Sequence, residues 1–179
     1  MSLILLDRDG VINHDSADFI KSPAEWEPID GSLEAIARLN QSGYRVAVIS
    51  NQSGIARGLL DIETLNRIHS KMRRMLAQLG GKIEAVMFCP HGPEDNCHCR
   101  KPQPGMLNDL AHRLRVSLDN VPVVGDSLRD LQAAQAVGAT PILVKTGKGK
   151  KTLKQGIPEG VAVYKNLAAV ADALLGSKP

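Results

Sequence analysis

Leu3-Ile4-Leu5-Leu6-Asp7-Arg8-Asp9-Gly10 decides the fold of this chain. Four apolar residues in a row, without polar alternation, read as a strand buried on both faces, the signature of a parallel sheet covered by helices. The run ends abruptly on two aspartates spaced two apart. The same design recurs downstream. Val46-Ala47-Val48-Ile49 runs into Ser50-Asn51-Gln52, Val86-Met87-Phe88 into Cys89-Pro90-His91, and Val121-Pro122-Val123-Val124 into Gly125-Asp126-Ser127. Open α/β sheets bind ligands beyond the carboxyl ends of their strands. The pattern therefore places carboxylates, a hydroxyl and a cysteine loop along one rim, and the expectation is an enzyme.

Between these runs the apolar period changes from strand to helix. Ser32–Gln41 reads as a helix closed by Gly43, with Tyr44–Ile49 as the next strand. Asp61 can cap a long helix carrying Ile62, Leu65, Ile68, Met72, Met75, Leu76 and Leu79 at helical spacing. A strand near Ala85–Phe88 leads into the cysteine loop. Met106–Arg115 and Leu128–Val137 are further helices, Pro141–Val144 and Val161–Tyr164 further strands, and Leu167–Leu175 a closing helix. The expectation is an α/β, Rossmann-like parallel sheet with helices on both faces, in a single domain spanning 1–179. The insertion Asn13–Pro28 is too short for a large cap and is expected to lean over the site entrance.

At 179 residues, with 43% hydrophobic and 23% charged residues, the composition is that of an ordinary globular protein. A net charge of +3 does not call for nucleic acid. The basic stretch Lys145–Lys154 reads as a solvated loop. No secretory signal or membrane-length apolar segment is visible. All three cysteines fall between Cys89 and Cys99, unlike a disulfide framework. These features point to a reducing, cytoplasmic setting and a monomer acting on a small molecule, without a nucleic-acid or membrane partner.

In strand-like spacing, residues i and i+2 face the same side, so Asp7 and Asp9 can address one bound group. Asp7 is placed to attack phosphorus and Asp9 to exchange a proton with the leaving oxygen and with water. Two carboxylates this close call for a cation, and Mg²⁺ shared with Asp126 suits them. Ser50 and Lys101 can steady phosphoryl oxygens. Cys89, His91, Cys97 and Cys99 form a Cys₃His set suited to structural, tetrahedral zinc. His98, between two ligand cysteines, is the poorer nitrogen donor, and His14, His69 and His112 read as ordinary surface or helix residues.

Taken in order, D-R-D-G-V-I at Asp7–Ile12, S-N-Q at Ser50–Gln52, Lys101, and G-D-S-x-x-D at Gly125–Asp130 resemble the four motifs of the haloacid dehalogenase (HAD) superfamily of aspartate-dependent phosphohydrolases. The resemblance implies that Asp7 is the nucleophile and Asp9 the general acid/base. It also implies that Asp7, the Asp9 backbone carbonyl and Asp126 hold Mg²⁺. The C-P-H…C-x-C-R-K-P loop is similar to that of small-capped members acting on heptose bisphosphate or histidinol phosphate. The strings at Ser50–Gly58 and Cys99–Met106 are more similar to the heptose branch. That likeness implies removal of a 7-phosphate from a sugar bisphosphate in nucleotide-activated heptose synthesis. By the same likeness, substrate contacts fall to Asp15, Asp18, Asn51, Gln52, Ser53 and Arg100. From the residues alone, Arg57 and Arg100 are cations suited to charge beyond the reacting group. Histidinol phosphate, another small phosphoester such as a DNA 3′-phosphate, and a non-catalytic metal-stabilised binding module are the alternatives.

Overall fold

The computed structural model describes residues 1–176; the last three residues of the expected 1–179 domain lie outside the described residues. Strand β1 (Ser2–Leu6) is followed by α1 (Ser32–Gln41), β2 (Tyr44–Asn51), α2 (Ile62–Gln78) and β3 (Ala85–Cys89). Then come α3 (Gly105–Leu114), β4 (Pro122–Gly125), α4 (Leu128–Ala136), β5 (Thr140–Val144), α5 (Gly149–Gln155), β6 (Ala162–Tyr164) and α6 (Leu167–Gly176). All six strands form one parallel sheet in the order β3-β2-β1-β4-β5-β6. The expected Rossmann-like sheet is therefore present, with β1 and β4 side by side at the point where the strand order reverses.

The opening quartet explains this arrangement. Ile4 and Leu6 pack into one core, with Ile36 and Leu39 of α1, Met72 and Leu76 of α2, and Val170 of α6. Leu3 and Leu5 face the other core, with Met106, Leu107 and Leu110 of α3 and Ala133 and Ala134 of α4. Successive strand side chains point to opposite faces, so a strand covered on both sides needs an apolar residue at every position. Register places Leu6 opposite Val48 of β2 and Val124 of β4. Asp7 N–H then donates to Val124 O at 2.9 Å, so the first residue past β1 is still tied to β4.

Two expectations change. Strand β2 continues to Asn51, because Ser50 and Asn51 pair with Phe88 and Cys89 in the β2–β3 ladder. The basic stretch Lys145–Lys154 is not simply a solvated loop: its second half is α5, whose Gly149 and Thr152 are buried. Its lysine side chains are exposed, as expected. The helical half lacks apolar periodicity because it is fixed by polar contacts to the site. Among the described residues no helix is long and apolar enough to cross a membrane.

The Asn13–Pro28 insertion is held down by Trp26, which is fully buried. Lys71 Nζ on α2 donates to the carbonyls of Pro23 and Trp26, both at 2.8 Å, and His14 N–H donates to Glu27 O at 3.0 Å. Trp26→Ala is expected to cost about 3–5 kcal/mol, the usual range for emptying a buried aromatic site. Urea unfolding followed by circular dichroism measures it; a change below about 1 kcal/mol would show that the insertion is held by its backbone contacts instead.

Candidate active site

The carboxyl ends of the central strands open into a cavity of about 330 Å³. Its floor carries Asp7, Asp9, Lys101, Asp126 and Asp130, and its rim Arg57, Arg100, Arg129 and Lys148. Asp15, Asn51 and Ser53 line it as the sequence suggests, and Ser16, Ala17 and Phe19 of the insertion lean over it. Asp18, Ser50 and Gln52 lie outside the lining. Asp18 is exposed; Ser50 and Gln52 are buried behind the floor, where Gln52 Nε2 donates to Ser50 Oγ at 2.7 Å.

Lys101 is the hub of the floor. Its ammonium, 2% exposed, lies 3.1 Å from Asp7 Oδ1 and 2.6 Å from Asp130 Oδ1, and it donates to Ile49 O at 3.0 Å. Burial disfavours its charge, but Asp130 and Asp7 more than compensate and hold its pKa above the ordinary lysine value. Its backbone is fixed by a reciprocal pair: Lys101 N–H donates to Asn51 Oδ1 at 3.0 Å and Asn51 Nδ2 to Lys101 O at 3.1 Å.

Asp130 arranges the next strand end. Its Oδ2 accepts from Asp126 N–H at 3.2 Å, Ser127 N–H at 3.1 Å and Ser127 Oγ at 2.9 Å. Asp130, in the first turn of α4, thereby reaches back to the N-cap residue Ser127. Asp126 in turn accepts from Lys148 N–H at 2.8 Å through Oδ2, and its carbonyl accepts from Thr152 Oγ1 at 2.7 Å. Gly10 and Gly147, both at positive φ, close around the Asp126 carboxylate, where a Cβ on either would overlap it. Thr146 Oγ1 donates to Gly10 O at 2.6 Å. Arg129, Lys148, Thr146 and Thr152 are therefore site residues that sequence reasoning missed. Arg129 lies beside the G-D-S-x-x-D string, and Thr146, Lys148 and Thr152 fall in the basic stretch Lys145–Lys154, whose charge pattern also admits a phosphate-facing reading.

Asp7, Asp126 and Asp130 each place an oxygen within 4.8 Å of the others. Desolvation raises Asp7 well above the usual carboxylate range, with Asp130 adding to the effect. Desolvation followed by Asp130 pushes Asp126 up to about 7. Both oxygens of Asp130 are already engaged, whereas the Asp7 and Asp126 carboxylates form a hard, crowded oxygen set suited to Mg²⁺. Asp9 stands apart. Burial would raise it, but Arg8, Asn13 and Gln52 outweigh burial and hold it below the usual range.

The cysteine loop gathers as its spacing suggests. Cys89 Sγ lies 3.1 Å from Cys99 Sγ, 3.6 Å from Cys97 Sγ and 3.5 Å from His91 Nδ1, and His91 Nδ1 lies 3.3 Å from Cys99 Sγ. Ligands about 2.0–2.3 Å from a tetrahedral zinc have comparable mutual spacings. Burial and the Cys99 thiol push Cys89 up to about 12. Burial also acts against Cys97, but the Arg100 N–H and the neighbouring thiols bring it down to about 6. One thiolate thus forms readily and the others need a cation, which fits zinc. His98 is exposed and outside the cluster, and His14 and His112 are also exposed. His69 departs from expectation: it is buried on α2 and faces Arg8 at 3.2 Å.

The HAD-hydrolase-like family pattern matches residues 98–170. The D-glycero-beta-D-manno-heptose-1,7-bisphosphate 7-phosphatase of Bordetella bronchiseptica is 60% identical over 98% of this chain and 98% of its own. The enzyme of the same name from Pseudomonas aeruginosa is 54% identical over 97% and 98%. The crystal structure of the B. bronchiseptica D,D-heptose 1,7-bisphosphate phosphatase, complexed with magnesium and phosphate, superposes with a TM-score of 0.98 at 59% identity, covering 99% of this chain and 100% of that one. Sheet, strand-end aspartates and these likenesses define a HAD-superfamily phosphoric monoester hydrolase. Within that superfamily, the chain belongs to the D-glycero-beta-D-manno-heptose-1,7-bisphosphate 7-phosphatase family.

Two outcomes follow for the metals. Without Mg²⁺, native Asp126 keeps its proton to about pH 7, whereas an unfolded carboxylate loses it near pH 4. The native state therefore binds more protons in that window, and stability falls as pH rises through it. His69, lowered to about 3, contributes with the opposite sign up to about pH 6.5, so the Asp126 contribution is read as a difference. Magnesium-free wild type should lose melting temperature relative to Asp126→Asn between about pH 5 and 7.5, and added Mg²⁺ should restore more at the upper end; a constant or opposite difference contradicts this. Purified protein should also retain one zinc per chain. Cys97→Ser should lose zinc and melt roughly 5–10 °C lower, corresponding to a few kcal/mol. Elemental analysis and calorimetry check both, and zinc-free wild type would refute the site.

Proposed function

We propose that this protein removes the 7-phosphate of D-glycero-beta-D-manno-heptose 1,7-bisphosphate through an aspartyl-phosphate, in the synthesis of nucleotide-activated heptose for lipopolysaccharide. The observation that carries the substrate class is the rim. Arg57, Arg100 and Arg129 line one cavity, and none makes an ion pair with a carboxylate among the described residues. Partial burial and then Arg129 hold Arg100 below the ordinary arginine value, with Arg57 contributing too, so the three crowd one region. Arg57 also lies over the Phe19 ring at 5.4 Å. Uncompensated guanidinium groups beside a phosphate-handling floor suit a second phosphate, and bidentate arginine is well shaped for one. The cationic amine of histidinol phosphate meets like charge at the same place. The activity for which the relatives are named supports the same substrate and its β anomer.

In this reading, the two donors to Asp7 fall on Oδ1, from Arg8 N–H at 2.8 Å and from Lys101, leaving Oδ2 to attack phosphorus. The Asp7–phosphorus bond forms as the bond from phosphorus to the sugar oxygen breaks, and Asp9 gives that oxygen a proton. Asp9 is ionised in the free site; a phosphoryl dianion beside it adds like charge and raises it toward protonation. Water then attacks phosphorus and passes its proton to Asp9, releasing phosphate and restoring Asp7. Lys101 places its positive charge beside the phosphoryl oxygens, and gives one of them a hydrogen bond by releasing Asp7 Oδ1. Ser50, behind the floor, keeps a hydroxyl proton while its oxygen accepts from Gln52, and reaches a phosphoryl oxygen only if it turns toward the cavity. Asp7, the Asp9 carbonyl and Asp126 would hold Mg²⁺, which when bound offsets charge on the phosphoryl oxygens. The zinc set would hold the loop that delivers Arg100 and Lys101.

Phosphate release from heptose 1,7-bisphosphate, histidinol phosphate and a generic sugar monophosphate tests this. Wild type should favour the bisphosphate, and Asp7→Asn should lose nearly all turnover while staying folded. Arg100→Ala should lower kcat/KM for the bisphosphate at least about tenfold more than for the monophosphate, a difference of about 1.4 kcal/mol. A wild-type preference for histidinol phosphate would falsify the heptose assignment whatever the mutant does.

A further inference from the structure

Arg8, the residue between the two strand-end aspartates, is completely buried. It does not line the cavity, so it is not placed to touch substrate. A buried guanidinium is costly unless its N–H groups are satisfied. Here they are divided among three side chains. Nε donates to Asp9 Oδ1 at 2.8 Å, and NH2 reaches the same oxygen at 2.8 Å. NH2 also faces Gln52 Oε1 at 3.5 Å, and NH1 lies 3.2 Å from His69 Nε2. Asn13 Nδ2 donates to the same Asp9 Oδ1 at 2.9 Å, and Gln52 Nε2 donates to the other oxygen, Oδ2, at 3.2 Å.

Arginine can only donate, so His69 Nε2 must present its lone pair and the ring must carry its proton on Nδ1. Desolvation followed by the Arg8 charge brings His69 down to about 3, in keeping with a neutral ring. The ring is also braced by Phe88 of β3, centroids 6.4 Å apart and tilted 54°. His69 is 61 positions from Arg8 in sequence, and it links the Asp9 clamp to the rigid helix α2.

We infer that His69 is a positioning residue. By accepting from Arg8 it fixes the guanidinium that aims the Asp9 carboxylate at the oxygen leaving phosphorus. This rests on the reading of Asp9 as general acid. A carboxylate that turns away costs most where the leaving oxygen is a poor leaving group. It costs little where the leaving group departs without a proton. The two cases separate in kcat/KM, which covers the steps up to the first bond cleavage.

The experiment compares kcat/KM for heptose 1,7-bisphosphate and for p-nitrophenyl phosphate, whose phenolate leaves unaided, at saturating Mg²⁺. Asp9→Asn is the control. Its loss should be roughly 10²–10⁴-fold on the sugar phosphate and far smaller on the aryl phosphate; otherwise the acid reading itself fails. With that control met, His69→Leu should lower the sugar-to-aryl ratio about tenfold or more. His69→Gln, whose carbonyl can still accept from Arg8, should recover most of it. Parallel losses on both substrates, an unchanged ratio, or no recovery in His69→Gln would overturn the inference about His69 alone. Because His69→Leu empties a polar contact in the core, a second measurement uses wild type. Nitrogen-15 spectra of the imidazoles should show His69 neutral and protonated on Nδ1 from about pH 5 to 8. An imidazolium or the other tautomer sinks the proposal.

Discussion

A single buried ammonium holds this site together. Lys101 Nζ sits between Asp7, just past β1, and Asp130 in the first turn of α4, and it also donates to a carbonyl of β2. Three elements of the sheet rim thus converge on one cation. Removing one partner of a buried charge pair strands the other and typically costs about 3–5 kcal/mol. The arrangement is therefore rigid as well as charged, and rigidity matters for a nucleophile that must meet phosphorus in line.

The charges around that lysine do not balance. Asp7, Asp126 and Asp130 lie within one ligand shell, and Lys101 is spent on two of them. Burial and mutual repulsion raise Asp7 and Asp126, so the floor's own residues resist the charged forms that its chemistry needs. A divalent cation held by Asp7 and Asp126 would resolve the conflict. Asp9 is kept out of it by its own partners, Arg8, Asn13 and Gln52. Two carboxylates two residues apart thus acquire different properties from different neighbours, with Asp7 raised and Asp9 lowered; the proposed roles need a bound cation to lower the first and a phosphoryl dianion to raise the second.

Two segments that follow β3 and β5 supply much of the precision. The Cys89–Cys99 segment folds on its own thiol and imidazole cluster and delivers Arg100 and Lys101 directly afterwards. The Asn51 amide then fixes the Lys101 backbone from β2. On the opposite side, Thr146 through Thr152 wrap Asp126 through backbone and hydroxyl donors, with Gly10 and Gly147 making room.

The sequence by itself determined the sheet, because a strand buried on both faces must be apolar throughout, and such runs ending in Asp7, Ser50, Cys89 and Asp126 cannot be hidden by composition. It determined the zinc set for a similar reason, since thiols and an imidazole at short spacing have few other uses. Tertiary structure alone decided which residues surround these motifs. The Lys145–Lys154 stretch looks solvated because its side chains are, yet its backbone N–H at Lys148 serves Asp126. Main-chain donors leave no trace in residue type. Gln52, read as a substrate contact, turns inward to Asp9 and Ser50, and His69, read as ordinary, meets Arg8 across the core. Pairings between residues dozens of positions apart arise only once the chain closes, because they depend on which faces of packed elements meet rather than on any local pattern.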